Sequence, residues 1–136
     1  MCGISGKFYF DKRSVSEAEL KIMADAISHR GPDQLGIFNK NNIGFGFRRL
    51  SIIDLSPAGN QPMSDAEGLV WIVFNGEIYN FVALREGLER DGVQFKSKTD
   101  TEVIIHLYKK YGVDCLKKLR GMCAFAIWDE NKRQLF

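Results

Sequence analysis

No stretch of the 136 residues approaches the ~20 consecutive apolar side chains that a membrane-spanning helix requires. Near the start, Lys7, Asp11, Lys12 and Arg13 interrupt any apolar run of the signal-peptide type, so no export signal is expected. Cysteine is scarce: there are three, an odd number without Cys-x-x-Cys spacing, which argues against a disulfide framework and against a zinc ribbon. His29 and His106 have no partner at metal-ligand spacing, so no metal site is expected. An excess of one charge is also missing. The 19 lysines and arginines interleave with 17 acids, leaving a net charge of +2 and no basic stripe of the kind that tracks a phosphate backbone. These absences exclude a nucleic-acid partner and a membrane partner as first expectations, and a reducing, cytoplasmic setting fits the free thiols.

What is present reads as one globular domain over residues 1–136, long enough to bury roughly two thirds of its unfolded surface without staples. Ile4, Gly6, Phe8 and Phe10 alternate as in a strand that begins almost at the amino terminus. Ser16-x-x-Glu19 has capping-box spacing and predicts a helix from about Glu17 to His29, ended by Gly31-Pro32. Short strands are expected over Ile43–Phe47 and Leu50–Ile53, then a strand over Leu69–Phe74 closed by Asn75-Gly76. Asn80 and Thr99-x-x-Glu102 predict caps for two further helices, Asp114 for a short one, and Met122–Trp128 reads as strand, with another starting at Arg133. Strands, helix, strands, helices and strands in that order imply an α+β fold with helices packed on antiparallel sheets.

Cys2 carries the most chemistry. If Met1 is removed, the chain begins with a thiol and a free α-amine on one residue. Their unperturbed pKa values of ~8.5 and ~8 let the amine accept the thiol proton directly or through one water. That pairing suits attack on an amide carbonyl through a thioester. By position alone, Cys2 also reads as an incidental small residue near a terminus.

The segments Cys2-Gly3-Ile4-Ser5-Gly6, His29-Arg30-Gly31-Pro32-Asp33, Arg49-Leu50-Ser51-Ile52-Ile53-Asp54 and Gly59-Asn60-Gln61-Pro62-Met63 follow one another in order. Asn75-Gly76-Glu77-Ile78-Tyr79-Asn80, Thr99-Asp100-Thr101-Glu102 and Gly121-Met122-Cys123-Ala124-Phe125-Ala126-Ile127-Trp128-Asp129 continue the series over nearly the whole chain. Together they resemble the glutaminase domain of glutamine-dependent asparagine synthetases, which belongs to the N-terminal-nucleophile (class II) glutamine amidotransferases. The resemblance implies a four-layer α/β/β/α sandwich that hydrolyses glutamine to glutamate and passes ammonia to a synthetase module elsewhere.

The resemblance also implies roles. Cys2 maps onto the nucleophile, and Asn75 with Gly76 onto the oxyanion hole, although Asn-Gly between apolar runs is equally a hairpin turn. Arg49 maps onto the grip for the α-carboxylate of glutamine, a task suited to a planar bidentate guanidinium; it also reads as a solvated surface arginine. Asp100 maps onto the acceptor for the α-ammonium, with Glu77 beside it, and also sits where it can serve a helix amino terminus. The backbone of Leu50, Ser51, Ile52 and Ile53 would line the glutamine site. Cys115 and Cys123 are expected to be buried packing thiols, Cys123 standing where relatives usually have Phe.

No metal or organic cofactor is implied for the glutaminase step. ATP and Mg are expected only in the synthetase module, because the sequence has neither a Gly-x-x-x-x-Gly-Lys-Ser/Thr loop nor a Ser-Gly-Gly-x-Asp-Ser loop. Two other readings stay open: a glutamine-binding or regulatory domain without turnover, and a glutaminase half whose ammonia goes to a sugar or a lactam-forming acceptor. The resemblance further implies a domain incomplete at its C-terminal end, so that a shortened chain, a partner that supplies the remainder, or self-association through uncovered sheet edges is expected.

Overall fold

The computed structural model describes residues 1–136 and contains two antiparallel sheets. β1 (Gly3–Phe8), β2 (Gln34–Lys40) and β3 (Ile43–Arg49) form the first, in the order β1-β3-β2. β4 (Met63–Ser64), β5 (Val70–Ile78), β6 (Gly121–Asp129) and β7 (Gln134–Leu135) form the second in sequential order. The pleat decides which side chains meet between them. Phe45, Phe47 and Ile43 from β3 pack on Val73 and Trp128 of the second sheet, with Phe38 completing that core. The opposite face of β5, through Ile72, Phe74 and Ile78, packs with Ile127 on Val103, Ile104, Leu107 and Tyr108.

Those last residues lie on α3 (Asp100–Tyr111), which with α2 (Phe81–Arg90) covers the second sheet, while α1 (Glu17–Ala26) covers the first. Glycine permits the close approach of α1: a Cβ at Gly44 would stand 2.5 Å from Leu20 Cδ1, and one at Gly46 would stand 3.2 Å from the Leu20 carbonyl oxygen. The layers run helix, sheet, sheet, helices, which is the four-layer sandwich that the resemblance implies. No helix is long and apolar enough to cross a membrane.

The capping box of α1 is complete, with the Glu19 N–H donating to Ser16 Oγ and the Ser16 N–H donating to Glu19 Oε2. The helix stops at Ala26 rather than His29, and Ser28–Arg30 tighten into a 3-10 turn. β2, absent from the sequence reading, is joined to β3 by Asn41 and Asn42, with Asn41 at φ 55°. Such a two-residue turn, with Asn at positive φ, is the signal that marks a hairpin. Leu50–Ile53, expected as a strand, is irregular, because side chains of the site engage its backbone. Asn75-Gly76, expected as a turn, lies within β5 opposite Ala124 and Cys123. Asn80 precedes α2 without capping it; its Nδ2 donates to the Lys118 carbonyl and its Oδ1 accepts the Arg120 N–H. The helix at Asp114 is a 3-10 segment, Gly112–Lys118.

The start of α3 is held by two acceptors. Thr99 Oγ1 accepts the Glu102 N–H, but the Glu102 carboxylate does not return to Thr99. It accepts the Lys96 and Ser97 N–H groups at 2.9 and 2.7 Å and the Ser97 hydroxyl at 2.7 Å. Burial pushes this carboxyl up, but His106 and the loop donors outweigh it and hold it at about 2. Its folded value is depressed, so its contribution is fully present above the unfolded value near 4.5 and is lost as pH falls through about 2. Glu102→Ala is expected to cost on the order of 3 kcal/mol by urea unfolding at neutral pH, with the difference from the parent shrinking in acid.

Candidate active site

The amino terminus enters the site directly, since β1 begins at Gly3 and leaves Cys2 half-buried at the rim of the inter-sheet core. Leu50, just past the end of β3, brackets the sulfur: its N–H donates to Cys2 Sγ at 3.3 Å, and Sγ donates to its carbonyl at 3.5 Å. These are the backbone groups a strand neighbour would otherwise use. The Ser51 N–H is taken in turn by Asp33 Oδ2 at 2.7 Å.

The 3-10 turn after α1 fixes the other side of Cys2, where Arg30 Nε donates to the Cys2 carbonyl at 3.1 Å. Gly31 passes so close to Arg48 that a Cβ there would overlap the Arg48 carbonyl. The His-Arg-Gly-Pro-Asp segment therefore anchors Cys2 through Arg30 and the following loop through Asp33. Sequence reasoning assigned that segment to the helix end and the following turn, and its spacing alone does not reveal these two contacts.

Cys2 opens on a cavity of about 500 Å³. Arg49, Leu50, Ile52, Ile53, Asn75, Gly76, Glu77 and Asp100 line the same cavity, and Ser51 does not. Asn75 and Gly76 reach it from β5. Gly76 has φ +154°, and a Cβ there would overlap the Met122 carbonyl and stand 2.6 Å from Cys123 Cβ, so only glycine fits.

Arg49 is buried, at 6% exposure, and is no solvated surface arginine. Its Nη1 donates to the Ser56 carbonyl and to Asn60 Oδ1 at 3.0 and 2.7 Å, and its Nη2 donates to the Asp54 carbonyl. The guanidinium lies against Gly59, where a Cβ would overlap it. Three donor contacts on the protein leave part of the five-donor fork for a ligand.

Asp100 is the first residue of α3 and is 4% exposed, with Oδ2 accepting the Ile78 N–H at 3.0 Å. Burial raises its carboxyl above the ordinary value, and the Glu77 charge adds to that. A buried carboxyl at a cavity wall is electrostatically suited to a cationic group, whose charge would offset the cost of burial.

Two thiols differ in place. Cys115 is fully buried as expected, and burial pushes its thiol up. Cys123 is exposed rather than buried, because β6 from Gly121 to Ala124 has β5 on one side while β7 pairs only with Trp128 and Asp129. It too lines the cavity.

Two packed antiparallel sheets between helices, with a cysteine at the second residue facing a cavity, make up a sandwich fold of the N-terminal-nucleophile amidotransferase type. A solved glutamine phosphoribosylpyrophosphate amidotransferase from Bacillus subtilis shares it over 96% of this chain and 35% of its own, with a TM-score of 0.76 at 22% identity. Residues 1–136 match the family model described as glutamine amidotransferase domain, and the chain belongs to that family. It is 46% identical, over its whole length, to asparagine synthetase (glutamine-hydrolyzing) 1 of Bacillus subtilis (strain 168), covering 22% of that protein. It is also 46% identical to amidase chry2 of Gibberella zeae, over 92% of this chain and 19% of the relative. The chain thus spans about a fifth of the length of these relatives.

Proposed function

We propose that the chain hydrolyses L-glutamine to glutamate and ammonia, with Cys2 as the nucleophile. The observation that carries this reading is the convergence of Cys2, Asn75, Gly76, Arg49 and Asp100 on one cavity from four separate parts of the fold. With Met1 removed, the Cys2 α-amine takes the thiol proton as sulfur attacks the side-chain amide carbon. The Asn75 amide and the Gly76 N–H donate to the oxygen that becomes negative. The amine then delivers the proton to the departing nitrogen, ammonia leaves, and a γ-glutamyl thioester remains. Water, deprotonated by the same amine, attacks the thioester and releases glutamate. Arg49 and Asp100 grip the carboxylate and ammonium of the amino-acid end, with Glu77 adding negative charge. The step uses no metal or organic cofactor. Ammonia passes to an ATP-dependent, asparagine synthetase-type module outside these residues, a destination supported by the name of the relative from B. subtilis.

The test is direct. Protein lacking Met1 should release glutamate and ammonia in equal amounts from glutamine but not from asparagine, which is one methylene shorter. Protein retaining Met1 has a peptide nitrogen in place of the amine and should bind glutamine without turnover. A processed chain that binds glutamine and never hydrolyses it would favour a binding domain instead.

Asp100→Asn is expected to raise the KM for glutamine by about 100-fold, because the ion pair to the ammonium is lost while the acceptor for the Ile78 N–H remains. The same change should raise thermal stability. The folded carboxyl has a raised value, so the folded state holds the proton more readily than the unfolded one, and stability falls as pH climbs from 3.8 through that value. At neutral pH the asparagine removes that cost. In the parent protein, KM should climb on the acid side as Asp100 takes up its proton.

A further inference from the structure

Arg49 and Asp100 belong to different layers of the sandwich, one at the end of β3 and the other at the start of α3. Between them runs the loop after Arg49, and one of its residues makes contact in both directions. The Asp54 main-chain carbonyl accepts from Arg49 Nη2. Its carboxylate Oδ2 accepts the Lys98 N–H at 2.8 Å, in the turn that leads into α3 two residues before Asp100. Oδ1 accepts the Ser56 N–H at 3.0 Å and the Ser56 hydroxyl at 2.6 Å, and the Ser56 carbonyl accepts in turn from Arg49.

The chain bends there through φ 53°, a conformation that Asp tolerates and that turns both its carbonyl and its carboxylate to use. The Ser56 hydroxyl and the Lys98 and Ser56 N–H groups hold the carboxyl down at about 2, so it is ionised throughout the neutral range. Three donors converge on a side chain that does not line the cavity. Stabilising the loop alone would be served by the Ser56 contacts; the Lys98 contact joins the loop to the other half of the molecule.

We propose that Asp54 is a positioning residue that sets the distance between Arg49 and Asp100, and thereby the fit of the amino-acid end of the substrate. This rests on the glutaminase reading above. Asparagine cannot replace it: one of the two carboxylate oxygens becomes an NH₂ that faces N–H donors instead of accepting from them. Alanine removes all the carboxylate contacts and leaves the main-chain contact to Arg49 on a loosened loop.

Two reagents that alkylate Cys2 separate this role from a general one. The glutamine analogue 6-diazo-5-oxo-L-norleucine needs the amino-acid grip, whereas iodoacetamide does not. In Asp54→Asn and Asp54→Ala, the rate of analogue labelling at Cys2, read by peptide mass, should fall by about tenfold or more through weaker binding. Iodoacetamide labelling of Cys2 should stay within about twofold, and glutamine KM should rise by about tenfold with kcat little changed. Variants equal to the parent towards both reagents would overturn the proposal. So would variants slowed equally towards both, because that marks a general structural role. A parent protein labelled by iodoacetamide but never by the analogue would overturn the glutaminase reading, and this role with it.

Discussion

Cys2→Ala, prepared with Met1 removed, is expected to lose glutamine turnover by a factor on the order of 10⁴ or more while still binding glutamine. The size of the effect follows from the chemistry. Without the Cys2 sulfur there is no thioester at residue 2, and Cys123, which also lines the cavity, has a thiol pushed up by partial desolvation and by the Asp100 charge and carries no α-amine. The grip on the amino-acid end does not involve sulfur, so affinity should survive. Stability should change little, because Cys2 is only half-buried and its two sulfur contacts go to one residue, Leu50. The assay is glutamate release against calorimetric binding on the same preparation.

The second large effect concerns the oxyanion. Asn75→Ala should lower kcat by a factor of about 10² to 10³, corresponding to the ~3–4 kcal/mol that one such donor is worth. KM should hardly move, because the donor matters most when the carbonyl oxygen becomes negative. Asn75 lies within β5, paired with Ala124 and three residues before Ile78, whose N–H Asp100 accepts, so alanine leaves the strand in place. Gly76→Ala is the poorer probe. Its φ of +154° and the proximity of the Met122 carbonyl would force β5 and β6 apart, mixing a catalytic loss with a structural one. An Asn75→Ala protein with unchanged kcat would remove the oxyanion role.

Much of this was legible in the residues. The strand signal from Ile4 to Phe8, the box at Ser16 and the apolar face of α3 are local signals that survive into the fold, whereas Phe10, read as the next inward residue of that strand, lies beyond its end and is exposed. Leu50–Ile53 misled because it has the composition of a strand. Cys2 and Asp33, remote in sequence, take the Leu50 and Ser51 backbone groups that a sheet would have used. Asn75-Gly76 misled for the opposite reason. A dipeptide favoured in turns lies inside a nine-residue strand because β6 pairs across it and glycine lets the two backbones close. The long-range pairing outweighed the local preference.

The site shows the same division. Only Cys2 points to chemistry on its own, whereas the roles of Asn75 and Asp100 come from the motif resemblance, since each also fits a turn or a helix start. Arg30 on the Cys2 carbonyl and Asp54 on the Lys98 N–H act through main-chain groups far away in sequence, and nothing in their spacing points there. Arg49 lies between these cases. Its chemistry suits a carboxylate, yet its burial against Gly59 and its contacts with Ser56, Asn60 and Asp54 also make it the post around which the loop is wound.

The central claim is that the Cys2 sulfur carries the γ-glutamyl group while the Cys2 amine carries the proton. Intact-mass and peptide-mass measurement on protein acid-quenched during turnover tests both halves together. The account predicts a γ-glutamyl adduct on Cys2 of chains lacking Met1, and none on chains that retain it. Glutamine turnover without any adduct on Cys2, or equal turnover by Met1-retaining chains, would contradict it.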